Sequence, residues 1–313
     1  MTNRMRTVVA LAGLAALAAL SVYPALQTSG QGRRPGAALP RTIAGGFFEA
    51  SAVAYVPGTS GVLFVDDASN REIYWMEVSA DGAQKAPAVR IPLGADVTDL
   101  EGMTFDGASF YVVGSQSKRS GFQGDGLVRF KFDPKTRRTE AVERIQGLKA
   151  WLAANVPELK GTAQRIGDHV LNIEGIAWDP NGSRLLLGLR APVVNGQALV
   201  VPLKLQDPRG AFSAANLRVD GATIRLPLGG AGVRSIEYDA TAGAFRIITG
   251  AGLNAETRDF QIVEWKGDES PGSLRVIASY NRRLKPEGIT RATIDGRSGS
   301  VIVFDTSRFT LID

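Results

Sequence analysis

One short phrase constrains this chain more than any other: Glu-Gly followed by an apolar residue opens a strand-like run three times. Glu101 opens EGMTFDG, Glu174 opens EGIAWDPNG and Glu287 opens EGIT. Two degenerate copies fill the gaps, SAVAYVPG from Ser51 and RSIEYD from Arg234. The five starts lie about 50 to 73 residues apart, a period on the scale of propeller blades. Further short runs rich in Val, Ile, Phe, Tyr and Trp follow each start, separated by turn signals such as Pro-Gly, Asp-Gly and Asp-Pro-Asn-Gly. In the third repeat IEGIAWDP is followed by RLLLGLR, QALVVPLKL and ATIRLPLG, which reads as four strands. The first, second and fourth repeats divide in the same way. The fifth supplies only EGITRATI, SVIVFDT and FTLID. RTIAGGFF, residues 41–48, is the expected missing outer strand, and its return would close the ring and remove exposed sheet edges. The expected fold is therefore all-β, a five-bladed β-propeller closed by an N-terminal strand. A six-bladed ring with an irregular blade from residues 130–170 is the alternative. GLKAWLAANVPELK, residues 147–160, departs from the pattern: Leu148, Trp151, Leu152 and Val156 recur near helical spacing. It is expected as a helix on the propeller rim, or as a lid over the axis.

Residues 1–27 are expected to be a signal peptide or an uncleaved N-terminal anchor. Arg4 and Arg6 precede an uncharged apolar run over residues 7–21, which has the length of a signal-peptide h-region. Residues 28–40, small and polar with Pro, read as a linker to a domain over 41–313. The expected location is periplasmic or secreted, with membrane contact only through an uncleaved N-terminal segment. The formal charge of +5 is concentrated in that leader. Without the four arginines of residues 1–34 it falls to +1, and it is +3 if Arg33 and Arg34 are retained. No clustered basic face follows from such a balance, so nucleic acid is not an expected partner. The chain has no cysteine, which excludes disulfides and thiolate metal sites. Packing, ring closure and a bound ion are left to hold it together.

In a propeller the first strand of each blade lines the central channel, and the second returns to the face where the first began. On that geometry Ser51, Glu101, Glu174, Glu287 and either Arg234 or Ser235 form a ring. Three ionised carboxylates close together repel, so some stay protonated or a cation sits among them. Oxygen donors and a single histidine favour calcium over zinc or copper. The candidate metal set is Ser51, Glu101, Glu174, Ser235 and Glu287. If Arg234 faces inward instead of Ser235, it neutralises glutamates with no metal at all. The ends of the second strands add Asp66, Asp67, Ser115, Arg190, Thr249, Asp305 and Thr306, with Lys118, Arg119 and Arg308 close behind. Asp67, Ser115, Arg190, Arg234 and Asp305 are the candidate ligand-binding residues. A calcium beside arginines suits a small anionic ligand such as a phosphate ester. A protein partner across the same face is the other expectation. His169 is the only histidine, and no G-x-S-x-G, H-E-x-x-H or Walker motif accompanies it, so no catalytic nucleophile stands out.

DLEGMTFDG, LNIEGIAWDP, VRSIEYD and KPEGIT together resemble an uncharacterised family of bacterial exported β-propellers, a domain of unknown function. The likeness spans roughly residues 45–313. DLEG, NIEG and PEG are also similar to SdiA-regulated periplasmic propellers and to the esterase-like domains associated with phytase. The order Ser, Glu, Glu, Ser, Glu, carried by Ser51, Glu101, Glu174, Ser235 and Glu287, is similar to that of apyrase-type five-bladed nucleotidases, where such residues hold a central calcium. These resemblances imply an exported propeller with a central calcium that binds a ligand or partner on its Glu-bearing face. The alternative they imply is a calcium-dependent hydrolase of phosphate esters. The nucleotide-binding residues of the apyrase type find no match here.

Overall fold

Aspartates close the turn at the end of the first strand in three of the repeats. Asp106 Oδ1 accepts from the amides of Ala108 and Ser109, at 2.8 and 2.7 Å. Asp179 Oδ1 does the same for Asn181 and Gly182, and Asp239 Oδ1 for Thr241 and Ala242. In the fifth repeat Asp295 and Gly296 both take positive φ, 49° and 83°, and join Ile294 to its partner Arg297 in a two-residue hairpin. These turns fix each first strand against its second, and so fix which residues reach the opposite end.

The computed structural model describes residues 39–118, 121–122, 124–250, 259–270 and 272–313. The expected leader, residues 28–38 of the linker and Arg119 lie outside the described residues. Five antiparallel sheets form five blades. Blade one comprises Ala50–Tyr55, Gly61–Asp66, Glu72–Glu77 and Val89–Pro92. Blade two comprises Leu100–Phe105, Phe110–Gly114, Gly126–Asp133 and Arg138–Gln146. Blade three has Asn172–Asp179, Arg184–Ala191 and Ala198–Leu205, with an outer edge split between Leu217–Val219 and Ile224–Leu226. The single outer strand expected from ATIRLPLG is thus only half of that edge. Blade four comprises Gly232–Asp239, Ala244–Gly250, Phe260–Trp265 and Leu274–Tyr280. Blade five has Pro286–Ile294, Arg297–Phe304 and Arg308–Ile312, completed by Arg41–Thr42 from the other end of the chain.

The first strands pack against one another in the order one to five and back to one, which closes the ring. There are five blades and no sixth: residues 130–170 supply the outer half of blade two and the insertion. Of the expected closing strand over 41–48 only Arg41–Thr42 pairs, opposite Phe309 and Arg308. Ile43 then donates to the Ser307 carbonyl at 2.9 Å, and the chain turns away at Gly45, where φ is 112° and a Cβ would lie 2.6 Å from the Ala88 amide nitrogen.

The core is divided into apolar layers, one at each junction between blades. Each fully buried Val, Leu or Ile there contributes about 1.5–3 kcal/mol relative to exposure. The insertion joins one of these layers. Its helix, Leu148–Asn155, and the 3-10 turn Pro157–Leu159 bury Leu148, Leu152, Val156 and Leu159 with Leu171, Ile173 and Leu187. Lys149 is buried with them. Its Nζ donates to the carbonyls of Arg165 at 2.9 Å and of Lys118, which ties the helix to two loops on the Glu-bearing face. The insertion is a rim element, and the channel mouth is lined by other residues. Among the described residues no helix is long and apolar enough to cross a membrane.

Candidate functional site

Every blade carries a β-bulge at the same place in its first strand. In blade two Leu100 pairs with Gly114 and Gly102 with Val113, which leaves Glu101 unpaired between them. The same slip leaves out Ser51 in blade one, Glu174 in blade three, Arg234 in blade four and Glu287 in blade five. A bulge re-aims its extra residue. All five bulged residues line one cavity of about 300 Å³ at the mouth of the channel.

The register also explains the glycine after each glutamate. That residue presses against the first strand of the next blade. A Cβ on Gly102 would lie 3.0 Å from Ile176 Cγ2, on Gly175 2.9 Å from Ile236 Cγ2, and on Gly288 2.8 Å from Ala52 Cα. Blade four fills this place with Ser235, whose Oγ accepts from the Ile289 amide at 3.3 Å. The register therefore puts Arg234 in the channel and Ser235 against blade five. Of the candidate metal set, Ser235 is not brought to the mouth. Ser51 reaches it, but its Oγ is committed to the Leu100 carbonyl at 2.5 Å.

A second ring lies two residues upstream of the first, where the chain enters each first strand; Asp99 and Lys285 take positive φ there, 59° and 46°. It consists of Glu49, Asp99, Asn172, Gly232 and Lys285, and all but Gly232 line the cavity. At Gly232 a Cβ would meet the Arg190 carbonyl oxygen at 2.3 Å. Reading the Glu-Gly phrase alone misses this ring. The signal was the residue two before each glutamate in DLEG, NIEG and KPEG. The second strands add Asp67, Arg190 and Asp305, as their ends predicted, and Asp168 joins from the loop before blade three. Ser115 stands just behind, donating to Asp99 Oδ2. Asp66 turns aside to accept from the Ala68 amide, and Thr249 is buried away from the mouth. Lys118 lies over the Phe122 ring at 5.1 Å, while Arg308 and His169 are exposed outside the cavity lining.

The mouth has two unlike halves. On the side of blades three to five the strand acids Glu174, Glu287 and Asp305 each meet a cation, while Asp168, on the loop before blade three, has no ion pair among the described residues. Glu174 accepts from Arg190 at 2.7 Å, from Asn172 Nδ2 at 3.0 Å, and pairs with Arg234 at 3.0 Å. Arg234 Nη1 also reaches both oxygens of Glu287 at 2.9 Å, and Lys285 pairs with Asp305. Burial works against the charge of Arg234, but Glu174, Glu287 and Glu101 outweigh it and raise its affinity for the proton. Burial pushes Glu287 up to about 8 even so; Arg234 opposes the shift and neighbouring Glu174 adds to it.

On the side of blades one and two the described residues of the lining include four acids, Glu49, Asp67, Asp99 and Glu101, and no cation. Carboxylate oxygens of Asp67, Asp99 and Glu101 all lie within 4.8 Å of one another. Glu101 has no hydrogen-bond or ion-pair partner among the described residues, and Asp67 Oδ1 is buried without one. Burial, followed by repulsion from Glu174 and Asp99, raises Glu101 well above the usual carboxylate range. Burial and the neighbouring Glu49 push Asp67 up to about 7. Chemically, this half can hold protons or a hard cation, and the other half is internally salt-bridged.

Residues 164–307 match the model of a protein family of unknown function, DUF3616. No curated protein matches the chain. Among solved structures the fold is similar to the PQQ domain of a pyranose dehydrogenase from Coprinopsis cinerea in its holo form, at 10% identity over 91% of this chain and 98% of that one, with a TM-score of 0.48. It is also similar to a glucose dehydrogenase, at 11% identity over 88% and 98% with a TM-score of 0.44. A third is the soluble aldose sugar dehydrogenase of Escherichia coli, at 10% identity over 87% and 98% with a TM-score of 0.41. At this distance the likeness carries no chemistry over to this chain.

Proposed function

We propose that this chain is an exported β-propeller that binds one calcium ion in the acidic half of its mouth, through Asp67, Asp99 and Glu101. A small anionic ligand then bridges the ion to Arg190. One observation carries the reading. Glu101 is half-buried among acids with no partner among the described residues, while its counterparts Glu174 and Glu287 are buried and each met by arginine. Carboxylates crowded together in a half-buried mouth repel one another unless some are protonated or meet a cation. Three carboxylates supply only part of the six to eight oxygens that calcium takes, so water and a ligand oxygen complete the shell. The arginines displace the ion from the axis, and Glu174, Ser235 and Glu287 drop out of the expected ligand set. The test is thermal unfolding with calcium, with magnesium and with chelator. Calcium is expected to raise the melting temperature of the wild type and to leave Glu101→Gln unmoved. Identical melting in calcium and chelator would refute the site.

A second reading is favoured by Arg190, whose side chain remains 21% exposed beside the acidic half. An anion held between calcium and a guanidinium is placed for hydrolysis of a phosphate ester, with the ion polarising the phosphoryl oxygen. A screen of phosphomonoesters, phytate and nucleotides with calcium tests it. Turnover no greater than that of Glu101→Gln removes it.

A further inference from the structure

A second cavity, of about 270 Å³, opens between blades two and three on the face opposite the mouth. It exists because the loop between the third strand and the split outer edge of blade three folds back over the cleft. Asn216 staples that loop: its Oδ1 accepts from the Asp207 amide at 2.9 Å, and its Nδ2 donates to the carbonyls of Asp207 and Ala211 at 2.8 and 3.0 Å. The stapled loop presents Phe212, 7% exposed, as a roof. Its ring centroid lies 6.1 Å from that of Tyr111, and the Arg129 guanidinium lies 4.5 Å from the Phe212 centroid. Leu185, Leu203 and Leu217 are buried in the walls, and Trp178 lines one side.

The polar groups at this cavity are almost all committed. Asp106 accepts from the Tyr111 hydroxyl at 2.8 Å and closes its own turn. Arg129 pairs with Glu143, and Arg184 with Asp179. Lys204 is the exception. Its one partner among the described residues is the Gly182 carbonyl, 3.0 Å away, and no carboxylate pairs with it. An aromatic cavity with a single uncompensated cation at its edge fits a ligand with a flat apolar body and one negative charge. The volume is at the small end of ligand sites, about right for a single ring with a short side chain. We infer that this cavity is a binding site for a small aromatic carboxylate, with the ring packed against Phe212 and Trp178 and the carboxylate on Lys204.

The test uses the full chain and three probes of one shape: phenylacetate, 2-phenylethanol and phenethylamine. Titration calorimetry, together with the fluorescence change that Trp178→Phe abolishes, reads binding. Saturable one-to-one binding is expected, tightest for phenylacetate and weakest for phenethylamine. Lys204→Met should weaken phenylacetate about tenfold, equivalent to about 1.4 kcal/mol, and leave 2-phenylethanol unchanged. Phe212→Ala, which unroofs the cavity, should weaken both. Absence of saturable phenylacetate binding at millimolar concentration overturns the inference. So does unchanged affinity in Lys204→Met, or loss of binding in Arg190→Met, which would place the probe at the mouth.

Discussion

Glu174 and Glu101 sit on equivalent bulges of adjacent blades, each followed by a glycine that backs onto the next blade. Their surroundings differ at three equivalent positions. Two residues upstream stands Asn172 in one case and Asp99 in the other. At the end of the second strand stands Arg190 against Ser115. On the bulge of the next blade stands Arg234 against Glu174. Each change takes positive charge or neutrality away from Glu101 and leaves a group that cannot neutralise it. The backbone therefore fixes where a carboxylate points, and three side chains from other positions decide whether it is neutralised. One ring of acids becomes a salt-bridged half and an unpaired half with no change of fold.

The largest effect should come from breaking the paired half. Arg234→Met leaves Glu174 and Glu287 facing each other in a buried site, and chemical denaturation should show a loss of about 3–5 kcal/mol. A loss below about 1 kcal/mol would mean the two halves are electrostatically alike. Next is the response to calcium. At a hundredfold excess over its dissociation constant the ion should stabilise the wild type by about 2.7 kcal/mol. In chelator the sign reverses for the variant: Glu101→Gln should melt higher than wild type, since it removes a repelled charge. The equivalent Glu174→Gln should melt lower in either condition, because it strips a partner from two arginines.

A smaller effect is expected with pH. Asp67 has its folded value pushed up to about 7, above the ordinary 3.8. The folded state then binds the proton more tightly than the unfolded chain, so the contribution is full below about pH 4 and is lost as pH rises towards 7. In chelator, wild type should lose stability relative to Asp67→Asn across that window, and calcium should flatten the difference. Parallel pH profiles for the two proteins would contradict the shift. The smallest effect belongs to Ser235→Gly, which restores the residue found in blades two, three and five. It should cost at most about 1 kcal/mol, the worth of one neutral hydrogen bond, and leave the calcium response intact. A lost response would return Ser235 to the ion.

The propeller was legible because its signals are local and repeated. Asp-containing turns and period-two runs are set within a single hairpin, and the Glu-Gly phrase repeats them at blade spacing. The bulge was legible only in outline. Whether Arg234 or Ser235 faces the channel depends on a one-residue slip against Thr249 and Ile248, which no residue type announces. The charge pattern was less visible still. Arg190 was placed at the mouth from the end of its strand, but that it meets Glu174 depends on pairing across the sheet. Glu49 and Asp99 escaped notice because the repeated phrase drew attention to its own first residue. The residue two before each bulge differs from blade to blade, Glu49, Asp99, Asn172, Gly232 and Lys285, and so carries no repeated signal. The split outer edge of blade three, which carries the roof of the second cavity, has no counterpart in the other repeats and so no periodic signature.

The bulges have a consequence for how such a protein can change. Ser51, Glu101, Glu174, Arg234 and Glu287 span a hydroxyl, three acids and a base, yet the strands on either side pair in the same register. An unpaired residue aimed into a cavity owes nothing to the sheet, so its identity is set by its neighbours in the mouth and not by the strand ladder. The five positions behave as sockets around an axis, each exchangeable without retooling its blade. Swapping the occupant of one socket would change the charge of half the mouth, with the strand pairing around it left in place.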